Sequence, residues 1–150
     1  MESQELLKTL GDTVGIELAF DADGVAAFSA DGMEVTLRNL PEIGAFALEG
    51  DLGAPPPQDL TALYKLMLES QHHFRDTVGA TISLDPENGR FMLCLVLFNK
   101  MLDAEAFVKT VGHFLSTQET WTRIVRDYRG AAEPSKPTSE MVFGGDFLKV

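Results

Sequence analysis

The chain opens on a helical period. Leu6, Leu7, Leu10 and Val14 recur at three- and four-residue spacing, Ser3 stands where a cap belongs, Glu5 lies in the first turn and Gly15 offers a left-handed stop. Short strand-length runs then take over. Ile16–Phe20, Val25–Ser29, Met33–Asn39 and Ala45–Gly50 are separated by DADG, ADG and LPEIG, whose Gly, Asp and Pro residues form turns. They predict an antiparallel meander. FDADG and FSADG look alike, but two copies mark successive hairpin ends rather than a repeat.

Pro55, Pro56 and Pro57 cannot continue a strand and lead into a second helix, predicted from Asp59, its cap, to Val78. Leu60, Leu63, Tyr64, Met67, Phe74 and Val78 form its stripe, and Leu66 and Leu68 flank it. On a wheel of about 100° per residue these positions span roughly 200°, twice what a helix lying on one core needs. A helix of that kind has two apolar contacts to make. After it, Thr81 and Ser83 alternate with Ile82 and Leu84, a strand with one wet face, whereas Phe91–Phe98 is apolar throughout and calls for cover on both faces. One layer of helices covers one face, so the other is expected to meet a partner or a second subunit. Asp103 caps the third long helix, with Phe107, Val108, Val111, Phe114, Leu115, Trp121, Val125 and Tyr128 on its stripe, and the helix is expected to stop near Gly130.

These elements fill residues 1–130, a length suited to one core. Residues 131–150 read as a polar, proline-containing linker and an apolar tail, expected to be flexible. Its Met141, Val142, Phe143, Phe147 and Leu148 suit addition to a sheet edge or filling of a groove.

Charge narrows the partners. Twelve basic against 23 acidic residues give a formal charge of −11, a field that repels phosphate backbones and anionic lipid surfaces. Nucleic acid is therefore not an expected partner, nor is membrane insertion: no stretch approaches about 18 apolar residues. The acidic, amphipathic start lacks the plan of a signal peptide, so a cytoplasmic protein is expected. Basic proteins stay open as partners, and a high charge keeps a protein soluble while it exposes apolar patches.

Chemistry is sparse. The chain holds no GxxxxGK loop, GxGxxG fingerprint, GxSxG elbow or HExxH helix, and DADG lacks the Gly and Glu spacing of a calcium loop. His72 and His73, adjacent on a helix, point about 100° apart and do not share a metal. His113 beside an apolar stripe reads as structural, and Cys94, the only cysteine, reads as a small buried hydrophobe. Trp121 fits an interface anchor and a core contact equally well. Asp21, Asp23 and Asp31 are the nearest approach to acid–base groups, but hairpin tips lack the desolvation that tunes a carboxyl. Neither cofactor nor metal is expected, and an enzyme is the weaker reading.

Four stretches together carry a family resemblance: ELAFDADGVAAFSADGMEVTLRN, LYKLMLESQHHF, GATISLDPENGRFMLCLVLF and LDAEAFVKTVGHFLSTQETW. In order and spacing they resemble the class I type III secretion chaperones, the family of the Tir chaperone. Two features depart from the common pattern: the Glu69–His72 stretch, where relatives often place Asn after a small residue, and the tail. The resemblance implies an α+β fold, an antiparallel sheet with three helices in the order α-βββ-α-ββ-α. It also implies a homodimer whose second helices contribute to a two-fold interface, and a client that is an extended segment near the amino terminus of a secreted effector, held without nucleotide hydrolysis. The matching client-binding positions are Leu6, Leu10, Val14, Phe20, Phe28, Val35 and Leu37; the dimer positions are Leu63, Leu66, Met67, Phe74, Leu93 and Leu95. A regulator of the same fold with no secreted client, like the YbjN-like sensory regulators, is the alternative.

Overall fold

The computed structural model describes residues 1–130. The linker and tail expected at residues 131–150 lie outside the described residues. Helix α1 (Ser3–Val14) is followed by strands β1 (Val25–Ala30), β2 (Met33–Leu40) and β3 (Ala45–Gly53), helix α2 (Thr61–Ser70), strands β4 (Thr81–Leu84) and β5 (Phe91–Phe98), and helix α3 (Ala104–Asp127). The strands form one antiparallel sheet in the order β1-β2-β3-β5-β4. This is the predicted α-βββ-α-ββ-α order.

The turns follow from their sequences. Asp31 and Gly32, at φ 50° and 78°, make the two-residue β1–β2 link, a pair that suits the twist of a hairpin. In DADG the Asp21 carboxylate accepts from the N–H groups of Asp23 and Val25, both at 2.9 Å, and Gly24 takes a positive φ of 72°. Asp103 caps α3 as expected, accepting from the Ala106 N–H at 2.8 Å.

Three expectations change. Ser3 is the first residue of α1 rather than its cap. Its hydroxyl donates to Asn39 Oδ1 at 2.9 Å and accepts from Asn99 Nδ2 at 2.7 Å, which ties the helix start to the chain beyond β5 and to β2. Ile16–Phe20 is not a strand, because no neighbouring strand lies beside it. And α2 ends at Ser70, well short of Val78: His73, Phe74 and Val78 take φ values of 56°, 52° and 53°, which no right-handed helix accommodates. The turn reverses the chain so that β4 can pair with β5. Gln71 anchors it, donating to Met67 O at 3.0 Å and accepting from the Ile82 N–H at 2.9 Å. The Trp121 indole donates to Asp76 O at 3.0 Å, and its ring is wholly buried, which assigns it to the core.

All three helices bury their stripes in a single cluster. Leu6, Leu7 and Leu10 of α1, Leu63, Leu66 and Met67 of α2, and Phe107, Val111, Phe114, Leu115 and Trp121 of α3 join Phe28, Val35, Leu37, Phe46, Leu48 and Leu93 of the sheet. At its centre sits a polar group. The fully buried Gln118 donates to Glu34 O at 2.9 Å and Asp51 O at 3.3 Å, bridging β2 and β3 just beyond their last pair, Val35 with Gly50. Gly50 leaves the room for it: a Cβ there would lie 2.6 Å from Gln118 Cδ.

Gly50→Ala is therefore expected to destabilise the fold by about 1–3 kcal/mol, as overpacking does. In urea unfolding, Gly50→Ala with Gln118→Ala should cost less than the sum of the single changes by about 1 kcal/mol. Strict additivity would remove the proposed steric link.

Candidate functional site

Catalytic groupings are missing where the sequence offered its nearest ones. Asp21 is occupied in holding a turn, Asp31 forms another, and among the described residues no group of three or more His, Cys, Asp and Glu is placed to hold a metal ion. His72 and His73 are exposed in the turn after α2, with ring centroids 4.1 Å apart because His73 is left-handed. His113 has its pKa pushed down by burial and, less, by Lys109. Cys94 is half-buried on the sheet face away from the helices, across from Thr81 and Glu49. Burial pushes its thiol pKa up, against a smaller opposing hydrogen bond from Ser83.

The remaining features are surfaces, and two stand out. The first is a groove of about 650 Å³ between α1 and the segment after it. Gln4, Glu5, Lys8, Gly11, Asp12 and Gly15 form the helix wall, and Ile16, Glu17, Leu18 and Ala19 form the other. Gly11 lets the two walls close up, since a Cβ on it would sit 2.7 Å from Ile16 O. Among the described residues, the N–H and C=O groups of Glu17, Leu18, Ala19 and Phe20 have no hydrogen-bond partner. The strand-like pattern of Ile16–Phe20 thus yields an extended stretch without a ladder. Phe20 fixes its far end, stacking on Phe46 at 6.0 Å, which in turn stacks on Phe107 at 5.4 Å.

The second feature is a set of exposed apolar side chains, some on α2 and its turn and others on the outer sheet face. Leu68 of α2 is 72% exposed and Phe74 of the following turn 50%, while β5 presents Val96 at 47% and Phe98 at 49% on the sheet face opposite the helices. The rest of that face is more polar, with Arg38 Nε 3.7 Å from Glu49 Oε1. The all-apolar pattern of β5 therefore leaves a bare half.

The predicted site residues divide by burial. Of the client-binding set, Leu6, Leu10, Phe28, Val35 and Leu37 are buried in the chain's own core, and Val14 and Phe20 are half-buried beside that core. Of the dimer set, Leu63, Leu66, Met67 and Leu93 are likewise core residues; Phe74 is exposed and Leu95 half-buried. That division has one cause: in an amphipathic element the strongest apolar positions face the core first. Sequence reasoning passed over Gly11, whose missing side chain was the available signal for a groove, and read Gly15 only as the stop of α1. It named Leu68 only as a flank.

The family model described as the Tir chaperone protein (CesT) family matches residues 5–122. The chain belongs to that family. No curated protein sequence matches it. Among solved structures, a chain of the ExsC–ExsE complex superposes with a TM-score of 0.71 at 24% identity, covering 83% of this chain and 97% of that one. A chain of the structure of the Yersinia pestis type III secretion chaperone SycH, in complex with a stable fragment of YscM2, gives 0.61 at 17% identity, covering 79% and 98%. One from the heterodimeric ExoU–SpcU complex of the Pseudomonas aeruginosa type III secretion system gives 0.60 at 20%, covering 83% and 95%. At these identities the superpositions establish the fold; the family match is what places the chain among the Tir chaperone relatives. Each superposition takes in nearly the whole length of the matched chain.

At mildly alkaline pH, Cys94 of this family member should react with a disulfide reagent more slowly in the native protein than in denaturant, because its raised pKa lowers the thiolate fraction. Equal rates would contradict the half-buried placement.

Proposed function

We propose that this protein is a type III secretion chaperone: a cytoplasmic homodimer that holds an extended segment from the amino-terminal part of a secreted effector. It keeps that segment soluble and export-competent without nucleotide hydrolysis or other catalysis. The observation that carries the reading is the family membership together with a groove bordered by unpaired, strand-like backbone at Glu17–Phe20. Such backbone offers main-chain pairing to any extended polypeptide, and the groove beside it offers side-chain contacts. The matched structure of the type III secretion chaperone SycH, in complex with a fragment of YscM2, supports the reading. The family match gives the regulator alternative no observation of its own.

The client contacts in this reading move outward from the positions the sequence nominated. Val14 and Phe20 stay at the margin, and the exposed Ile16 joins them, while Leu6, Leu10, Leu18, Phe28, Val35 and Leu37 hold α1 and the sheet in place beneath. The dimer contacts likewise shift from the buried Leu63, Leu66, Met67 and Leu93 to Leu68, Phe74, Val96 and Phe98, with Leu95 at the margin. Burying each large apolar side chain contributes about 1.5–3 kcal/mol, so a handful of them from each subunit suffices to drive association.

Co-expression tests the client role: an effector's amino-terminal segment should stay soluble with the chain present and precipitate without it, and added nucleotide should change nothing. A segment equally insoluble in both cases would overturn the reading. Light scattering tests the dimer. Leu68→Glu with Val96→Glu should halve the mass while leaving the circular dichroism intact, whereas Met67→Glu should disturb folding, since Met67 is buried. A wild-type monomer would end the dimer proposal.

A further inference from the structure

The groove beside α1 is unevenly charged. It continues past Gln4 into a smaller depression of about 310 Å³ that reaches Phe20 and Asn39, so one trough follows α1 along the unpaired segment. Four carboxylates line the two parts together, Glu5, Asp12 and Glu17 in the first and Glu2 in the second; Lys8 is the only cation. Lys8 is already engaged, its ammonium 2.6 Å from Asp12 Oδ2. Glu5 accepts from the Glu2 N–H at 3.3 Å, and the Glu17 carboxylate has no cation paired with it among the described residues. Beneath the carboxylates lie Gly11, Gly15, Ile16 and Leu18, an apolar and narrow floor.

We infer that the trough selects an extended polypeptide segment in which apolar residues alternate with lysine or arginine. This deepens the client-binding reading and rests on it. In an extended chain successive side chains point to opposite sides, so a segment paired with Glu17–Phe20 turns one set toward the floor and the other toward the rim. Apolar residues fit the floor. A rim of three carboxylates that lack a cation disfavours acidic or neutral side chains and attracts ammonium and guanidinium groups, by an amount that salt weakens because the rim is solvated. The client class is thus defined by sign and period rather than by a motif.

The test uses the full chain with three synthetic peptides of equal length, alternating Lys–Val, Ser–Val and Glu–Val, measured by fluorescence anisotropy at low and high salt. Lys–Val should bind about tenfold tighter than Ser–Val at low salt, converge on it at high salt, and Glu–Val should be weakest. Glu5→Gln with Glu17→Gln should abolish the Lys–Val advantage and leave Ser–Val binding unchanged. Glu87→Gln with Glu105→Gln, exposed positions outside the trough, removes the same charge and should have no effect. Amide exchange should slow at Glu17–Phe20 when Lys–Val binds. If Ser–Val matches Lys–Val while those amides are protected, the charge selection is overturned and the groove reading stands. If both double variants weaken Lys–Val equally, only the net charge acts and the inference fails. If no peptide protects those amides, the groove itself is not the client site.

Discussion

Among the described residues a five-stranded sheet has a single layer of helices, and that arithmetic governs the rest. Helix α3 lies across the inner face, and its fit is close enough that the centre admits Gln118 only because Gly50 has no side chain. A buried amide of this kind stabilises little by itself, and its Oε1 has no partner among the described residues, but it fixes the helix's position over β2 and β3. With the described helices committed to one face, the apolar residues of β5 on the other get no cover from them. Val96 and Phe98 at half exposure are the direct result.

Much of this was legible in the sequence, because element type follows period and turn chemistry. The β1–β2 link, the Asp103 cap and the wet face at Thr81 and Ser83 came from residues whose local preferences agree with the tertiary structure. Two elements were misjudged for tertiary reasons. Residues 71–78 have a helical pattern, yet the chain must reverse there for β4 to reach β5, and Gln71 and the Trp121–Asp76 bond hold the reversal against left-handed strain at Val78. Ile16–Phe20 has the pattern of a strand and the extended shape of one, but pairing requires a neighbour that the sequence of the segment alone cannot supply.

The candidate site was legible only in outline. Periodicity identifies which face of an element is most apolar, and in a chain this size that face goes to the chain's own core. Leu6, Leu10, Val35 and Leu37 are fully buried for that reason, and so are Leu63 and Leu93. The surfaces proposed for partners are built from the second-ranked positions: flanking residues such as Leu68, small ones such as Gly11, and backbone left unpaired. None of these has a strong signal by itself. The buried set still matters to binding, since it makes the groove a preformed surface whose ordering cost has been met in folding rather than on encounter.

In the proposed reading, that distinction bears on how a client is held without an energy source. Each main-chain hydrogen bond exchanged for one with water contributes about 0.5–1.5 kcal/mol net, so pairing along Glu17–Phe20 supplies only a few kcal/mol. The client must still give up conformational freedom of about 1–2 kcal/mol for each residue it fixes, so backbone pairing by itself roughly breaks even. The surplus has to come from side chains in the groove and on its rim. An apolar floor supplies part of it without regard to sequence, and the acidic rim adds a preference by charge. A net charge of −11 favours solubility while Leu68, Val96 and Phe98 stay exposed, and in the proposed reading the selection of a segment falls to the local carboxylates of the rim rather than to that net charge. Affinity of this composite kind is built from many weak contacts, and a segment held that way can be released stepwise, with no one contact large enough to trap it.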